Sequence, residues 1–174
     1  MRARVLGWTD YCHVLKRETA SVMTSVALIC TANRCRSVMA HAIFVDEAQK
    51  RALPIEVYSA GVLDFSDQPQ LEETSMTCRR NKTSPPPESP TWVGQLPLDS
   101  IGRFLVMEQF HADALTRDFG ISPDRISFLG SFDSQRRGTE IADPFGLGEA
   151  VYERQYQLIR DCIVGYLDTV RELE

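Results

Sequence analysis

The stretch from Ser25 to Arg51 constrains the fold most: a short apolar run ends at Cys30 and an amphipathic pattern starts at Ser37. Val26, Leu28 and Ile29 make the run read as a buried strand. Met39, Ala42, Ile43, Val45 and Ala48 then recur at helical spacing, and Pro54 stops the helix. A strand feeding a helix through a short turn is the opening of a βαβ unit. Such a unit requires a parallel sheet with helices laid on it.

The rest of the chain continues that alternation. Ile55 to Ser59 reads as a second strand running toward Gly61, and residues 69–80 are weakly helical. Asn81 to Pro97 holds five of the nine prolines and reads as a surface loop. Its Pro87-to-Pro90 PxxP is either a ligand for a Pro-binding domain or, the simpler reading, part of a plain connector. Arg103 to Met107 is a third strand, Glu108 to Asp118 a helix closed by Gly120, and Arg125 to Leu129 a fourth strand. After a polar, Gly-rich segment, a long helix runs from Glu149 to about Leu173. Near the start, Tyr11 to Lys16 is compatible with a helical turn or two. The expected fold is α/β: one three-layer domain with a four-stranded parallel sheet and a phosphate-binding loop after the first strand. That domain spans 25–174, leaving 1–24 as an N-terminal extension. A ligand belongs at the carboxyl ends of the strands.

Composition narrows the function classes. The formal net charge is −5, whereas a nucleic-acid binder usually carries a basic face. No run approaches the roughly 18 apolar residues of a membrane span; Ala20 to Cys30 is short and interrupted by Ser21, Thr24 and Ser25. Arg2 and Arg4 precede no apolar core, so no secretory signal is read and the expected compartment is the cytoplasm. Cys12, Cys30, Cys35, Cys78 and Cys162 form no disulfide framework. His13, His41 and His111 lack ligand spacing, so neither metal nor cofactor is expected.

The chemistry concentrates in Cys30-Thr31-Ala32-Asn33-Arg34-Cys35-Arg36-Ser37. A loop between a strand end and a helix N-terminus aims backbone N–H groups at a common centre and favours an anion. A cysteine in that field loses its proton readily and becomes a nucleophile. Arg36 can hold two phosphate oxygens with its planar fork, and Ser37 can donate to the thiolate. At this cysteine count a chance Cys-x5-Arg-[Ser/Thr] turns up in roughly one chain in thirty, and the flanking strand and helix make chance rarer. A buried core cysteine explains Cys30 alone but not the arginine and serine beside it. For a general acid, Asp143 in Asp143-Pro144-Phe145-Gly146 is the first candidate and Asp133 the second. Taken alone, Asp-Pro reads more readily as an ordinary turn.

These segments together resemble the low-molecular-weight protein tyrosine phosphatase family, from about Ser25 to Leu173. Val57 to Gly61, Phe104 to Glu108 and Phe128 to Phe132 resemble family segments in the expected order. The resemblance implies a phosphomonoester hydrolase with a cysteinyl-phosphate intermediate, in which Cys30, Arg36 and Asp143 are catalytic and Thr31 to Ser37 bind phosphate. It implies that Asn33 braces the loop with Ser59 as partner, that Phe145 walls the substrate, and that Cys35 can trap an oxidised Cys30. The substrate would be a phosphorylated protein or small aryl phosphate.

Ala32 stands where members usually have glycine, a cost of up to about 1 kcal/mol if φ must be positive. Val38, His41 and the Pro-rich segment also depart from the pattern. Arg34 is neither the apolar residue of tyrosine phosphatases nor the threonine of the bacterial protein-arginine phosphatases. It would add a second cation for an acidic substrate, point to solvent, or block the pocket. The alternatives are protein-arginine phosphatase, a non-catalytic phosphate-binding module, and arsenate reductase. Reductases resembling this family place a cysteine pair in one downstream segment, where this chain has Cys78 alone, with Cys162 far off on the last helix.

Overall fold

The computed structural model describes residues 25–83, 87–135 and 137–171. The turn read at Tyr11 to Lys16, with the whole 1–24 segment, lies outside the described residues. Among them, one sheet is formed by β1 (Ser25–Cys30), β2 (Glu56–Gly61), β3 (Arg103–Val106) and β4 (Ile126–Phe128), in the order β2-β1-β3-β4. All three pairings are parallel. The helices are α1 (Arg36–Lys50), α2 (Glu72–Arg80), α3 (Gln109–Phe119) and α4 (Glu149–Arg171).

The expected three layers follow from how β1 shares its side chains. It lies between two strands and is covered on both faces, so all six residues are buried, which is why it reads as an unbroken apolar run. Val26, Leu28 and Cys30 enter the core shared with α1 and α4, where Phe44 meets Tyr166 with ring centroids 5.9 Å apart. Ala27 and Ile29 enter the opposite core with Phe104, Val106 and Leu115 of α3. Gly120, at φ 67°, closes α3 in the left-handed conformation that glycine adopts without strain.

The strand order also sets where the site lies. From β1 the chain moves outward to β2 and then returns to the other side of β1 as β3. That reversal opens a crevice at the carboxyl end of β1, at Cys30.

Two segments differ from their sequence reading. In α2 only Thr74, Thr77 and Cys78 are buried, and so narrow a face leaves little periodicity to detect. The Pro-rich segment is more than a connector. Pro87 is exposed but Pro90 is buried, so the PxxP does not offer both prolines to a partner. Beyond it, the Thr91 carbonyl accepts the Gly61 N–H at 2.8 Å, strapping the segment across the end of β2.

Candidate active site

Between Cys30 and Arg36 the chain turns in a loop whose carbonyls are claimed from outside. The Cys30 and Thr31 carbonyls accept from the Val62 and Leu63 N–H groups at 3.0 and 2.9 Å, and that of Cys35 from Met39 at 3.0 Å. Gln70 Nε2 donates to the Asn33 carbonyl at 3.0 Å and Thr74 Oγ1 to that of Arg34 at 2.8 Å. In a trans peptide the C=O and the following N–H point opposite ways. With five carbonyls turned outward, the N–H groups that follow them turn inward and form an anion-binding nest.

Asn33 holds the turn. Its φ of 52° is left-handed, a region asparagine enters more easily than most residues. Its Oδ1 accepts the Thr91 N–H at 2.8 Å and its Nδ2 donates to Ser37 Oγ at 2.9 Å. Ser59 is therefore not its partner: the strap supplies the acceptor's donor instead, which the sequence reading missed. Because Ser37 Oγ already accepts from Asn33, its own hydrogen is left for the Cys30 sulfur 2.9 Å away. Ala32 does not have positive φ, so the feared cost of replacing glycine there does not arise. The glycine that matters is Gly61, where a Cβ would come within 2.6 Å of the Ala32 carbonyl carbon.

Arg36 is 1% exposed and spans the floor of the crevice. Its Nη1 donates to Glu108 Oε2 at 2.5 Å and to the Ile141 carbonyl at 2.9 Å. Its Nη2 donates to Asp143 Oδ2 at 2.7 Å and to Thr31 Oγ1 at 3.3 Å. Nε is buried with no acceptor among the described residues, a donor left for an oxyanion. Burial works against the guanidinium charge, but Cys30, Glu108 and Asp143 outweigh it and hold the group above its ordinary value. Leaving such a cation buried requires compensation of this kind.

A cavity of about 220 Å³ opens above this floor, lined by Cys30, Thr31, Ala32, Arg34, Cys35, Phe65, Leu71, Asp143 and Phe145. It gathers the candidate nucleophile, the candidate acid and the expected aromatic wall. A larger open groove of about 580 Å³ follows α3 and β4 and is lined by no cysteine. Asp143 keeps 41% of its side chain exposed, and its Oδ1 accepts the Phe145 N–H at 3.1 Å. Asp133 is no acid: Arg137 grips it through Nε at 2.8 Å and Nη2 at 3.0 Å and holds the carboxyl well below the usual range.

Arg34 donates from Nε to the Pro69 carbonyl at 2.9 Å and has no carboxylate partner among the described residues. It forms part of the cavity wall and leaves the cavity open. Cys35 is buried, and that burial foremost pushes its thiol up to about 12. Cys78 and Cys162 are fully buried core thiols, raised by burial as well. Sequence alone gives no role to Glu108, Phe65 or Leu71, and weighs His111 only as a metal ligand. Only Glu108 carried a signal, as the last residue of the quoted Phe104-to-Glu108 segment.

Comparison with known proteins agrees with this geometry. The chain is 28% identical over 152 residues to the low molecular weight protein-tyrosine phosphatase A of Mycobacterium tuberculosis, covering 84% of this chain and 91% of the relative. It is 26% identical over 129 residues to the protein-arginine-phosphatase of Bacillus subtilis, covering 74% and 85%. The crystal structure of the low molecular weight protein tyrosine phosphatase from T. tengcongensis superimposes with a TM-score of 0.77 at 22% identity, covering 84% of this chain and 99% of that one. The model of the low molecular weight phosphotyrosine protein phosphatases matches residues 25–173. On that match the chain belongs to this family of cysteine-dependent phosphatases.

Proposed function

We propose that the protein removes phosphate from phosphorylated proteins, phosphotyrosine before other residues, in two steps through a phosphocysteine on Cys30. The observation that carries this is a convergence. The Cys30 sulfur, with Ser37 donating to it, shares one crevice with the buried Arg36 and with Asp143.

An incoming phosphate takes the loop amides and Arg36 Nε, and competes with Asp143 for Nη2. Cys30 attacks phosphorus in line, the bond to the leaving oxygen breaks, and Asp143 delivers a proton to that oxygen. Arg36 and the amides stabilise the equatorial oxygens throughout. A water then attacks the phosphocysteine and gives its proton to Asp143. The S–P bond breaks, freeing inorganic phosphate and the Cys30 thiolate, to which Ser37 donates.

Relatives of the chain include both tyrosine and arginine phosphatases. The apolar walls of Phe65, Leu71 and Phe145 suit an aromatic ring. The Arg34 cation, with no carboxylate partner among the described residues, is a poor neighbour for the guanidinium of phosphoarginine. Both favour phosphotyrosine, and Arg34 favours peptides with acidic residues beside it. Arsenate reduction would need a second accessible thiol, and among the described residues Cys78 and Cys162 are buried in the core. No helix among the described residues is long and apolar enough to cross a membrane. Four free cysteines there suit a reducing compartment, and we read the protein as cytoplasmic, with 25–174 as the phosphatase unit.

The test is turnover of p-nitrophenyl phosphate and phosphotyrosine peptides by wild type and Cys30→Ser. Wild type should turn both over, and the variant should lose at least about 10⁴-fold in kcat while still binding vanadate. Residual turnover near wild type would overturn Cys30 as nucleophile. Binding of vanadate by a wild type inert on every phosphoester and on phosphoarginine would favour a regulatory phosphate-binding module.

A further inference from the structure

His111 was set aside in the sequence as a histidine without ligand spacing, yet it is fully buried next to the phosphate loop. Its hydrogen bonds determine its tautomer. Nδ1 faces the Glu108 backbone N–H at 3.1 Å, and a backbone N–H only donates, so Nδ1 carries no hydrogen. Burial foremost, with the Arg36 cation next, pushes the ring down to about 3, so it is neutral near pH 7. Nε2 must then carry the hydrogen. Its neighbour at 3.0 Å is Thr31 Oγ1, while the Glu108 carboxylate lies further away at 3.8 Å. His111 therefore donates to Thr31.

The same hydroxyl oxygen also accepts from Arg36 Nη2 at 3.3 Å. A threonine hydroxyl has two acceptor positions and one hydrogen. With a histidine and an arginine donor on its lone pairs, Thr31 can only give. No described residue takes that hydrogen. Arg36 and His111 are buried, and Thr31 itself lines the cavity together with Cys30 and Asp143.

We propose that Thr31 is a catalytic residue whose hydroxyl donates to a phosphoryl oxygen of the substrate, and that His111 is the positioning residue that makes it a donor. The inference rests on the phosphatase reading above. A hydroxyl in bulk water spends its hydrogen on any acceptor. Here the donors behind it fix the orientation before the substrate arrives, so little reorganisation is needed as charge builds on the oxygens. The device also ties the phosphate-binding arginine to the loop, because Arg36 contributes one of the two donors.

The test is a set of variants assayed on p-nitrophenyl phosphate, with inorganic phosphate inhibition measured in parallel and near-UV circular dichroism confirming the fold. Thr31→Val keeps the shape and removes the hydrogen. It should lower kcat/KM by about ten- to a hundredfold and weaken phosphate inhibition. Thr31→Ser keeps the hydroxyl and should recover most of that loss. His111→Gln, whose amide can both accept and donate, should lose less than His111→Leu. In the Thr31→Val background His111→Leu should cost little more, because its target is gone. Folded Thr31→Val with wild-type kcat/KM would overturn the proposal. An equal His111→Leu loss in both backgrounds would assign His111 a purely structural role and overturn its half. Should His111→Leu fail to fold, the Thr31→Val and Thr31→Ser pair still decides. A wild type that does not turn over the substrate would sink the phosphatase reading instead, which is a separate outcome.

Discussion

At the floor of the cavity Asn33, Arg36 and Ser37 are each at most 1% exposed, and each carries two or more side-chain hydrogen bonds. On the rim Phe145 is 64% exposed, and Arg34 is held by one side-chain bond to the Pro69 carbonyl. The contrast follows from what each region must do. The floor keeps a left-handed Asn33 and a buried cation in place, arrangements that persist only when their surroundings over-determine them. The rim touches only the part of a substrate beyond the phosphate. Its side chains can change without unfolding anything, so chemistry should be sensitive to the floor and selectivity to the rim.

Asp143 tests the division hardest, because it stands on the rim but its Oδ2 reaches the floor through Arg36. Asp143→Asn removes the proton donor and should lower kcat by about 10²- to 10⁴-fold. The loss should be greater for phenyl phosphate than for p-nitrophenyl phosphate, whose leaving oxygen needs less help. Equal losses on the two esters would mean that Asp143 acts on the loop rather than on the leaving group. In that case it belongs with the floor.

Asn33→Ala should have the next largest effect. It strands the part-buried Thr91 N–H and places an alanine in the left-handed region. We expect about 2 kcal/mol of lost stability by denaturant unfolding. We also expect roughly ten- to a hundredfold lower kcat/KM, since a loop displaced by about 1 Å can cost that much. An intact melting transition with unimpaired kinetics would show that the loop does not need its brace.

The same contrast explains how much was legible in the sequence. Cys30, Arg36 and Ser37 were readable because a local strand, loop and helix dictate their arrangement, and β1 and β3 because each is largely a buried apolar run. Thr91, Gln70 and His111 were not. They come from three separate segments and matter only through single hydrogen bonds to the loop. No periodicity or motif encodes such a contact. Ser59 failed as Asn33's partner for that reason: adjacency in a family pattern does not say which group supplies the donor. Phe65 was missed because one aromatic in a polar loop looks like any other until the cavity is seen.

Arg34 should give the smallest effect and the most selective one. Arg34 lines the cavity, and among the described residues no carboxylate neutralises its guanidinium. An exposed ion pair with a substrate carboxylate is worth about 0.2–1 kcal/mol, or roughly a 1.4-fold to fivefold preference in kcat/KM for a phosphotyrosine peptide with acidic neighbours over a neutral one. Arg34→Thr and Arg34→Ile should both erase that preference and narrow the gap between phosphotyrosine and phosphoarginine peptides, with unfolding free energy changed by less than about 0.5 kcal/mol. Because such a contact is screened, the wild-type preference should also fade as salt rises from low ionic strength toward 1 M, where the Debye length shrinks to about 3 Å. An unchanged preference in both variants would show that the rim does not choose the substrate through this cation. The selectivity would then have to come from the apolar walls of Phe65, Leu71 and Phe145.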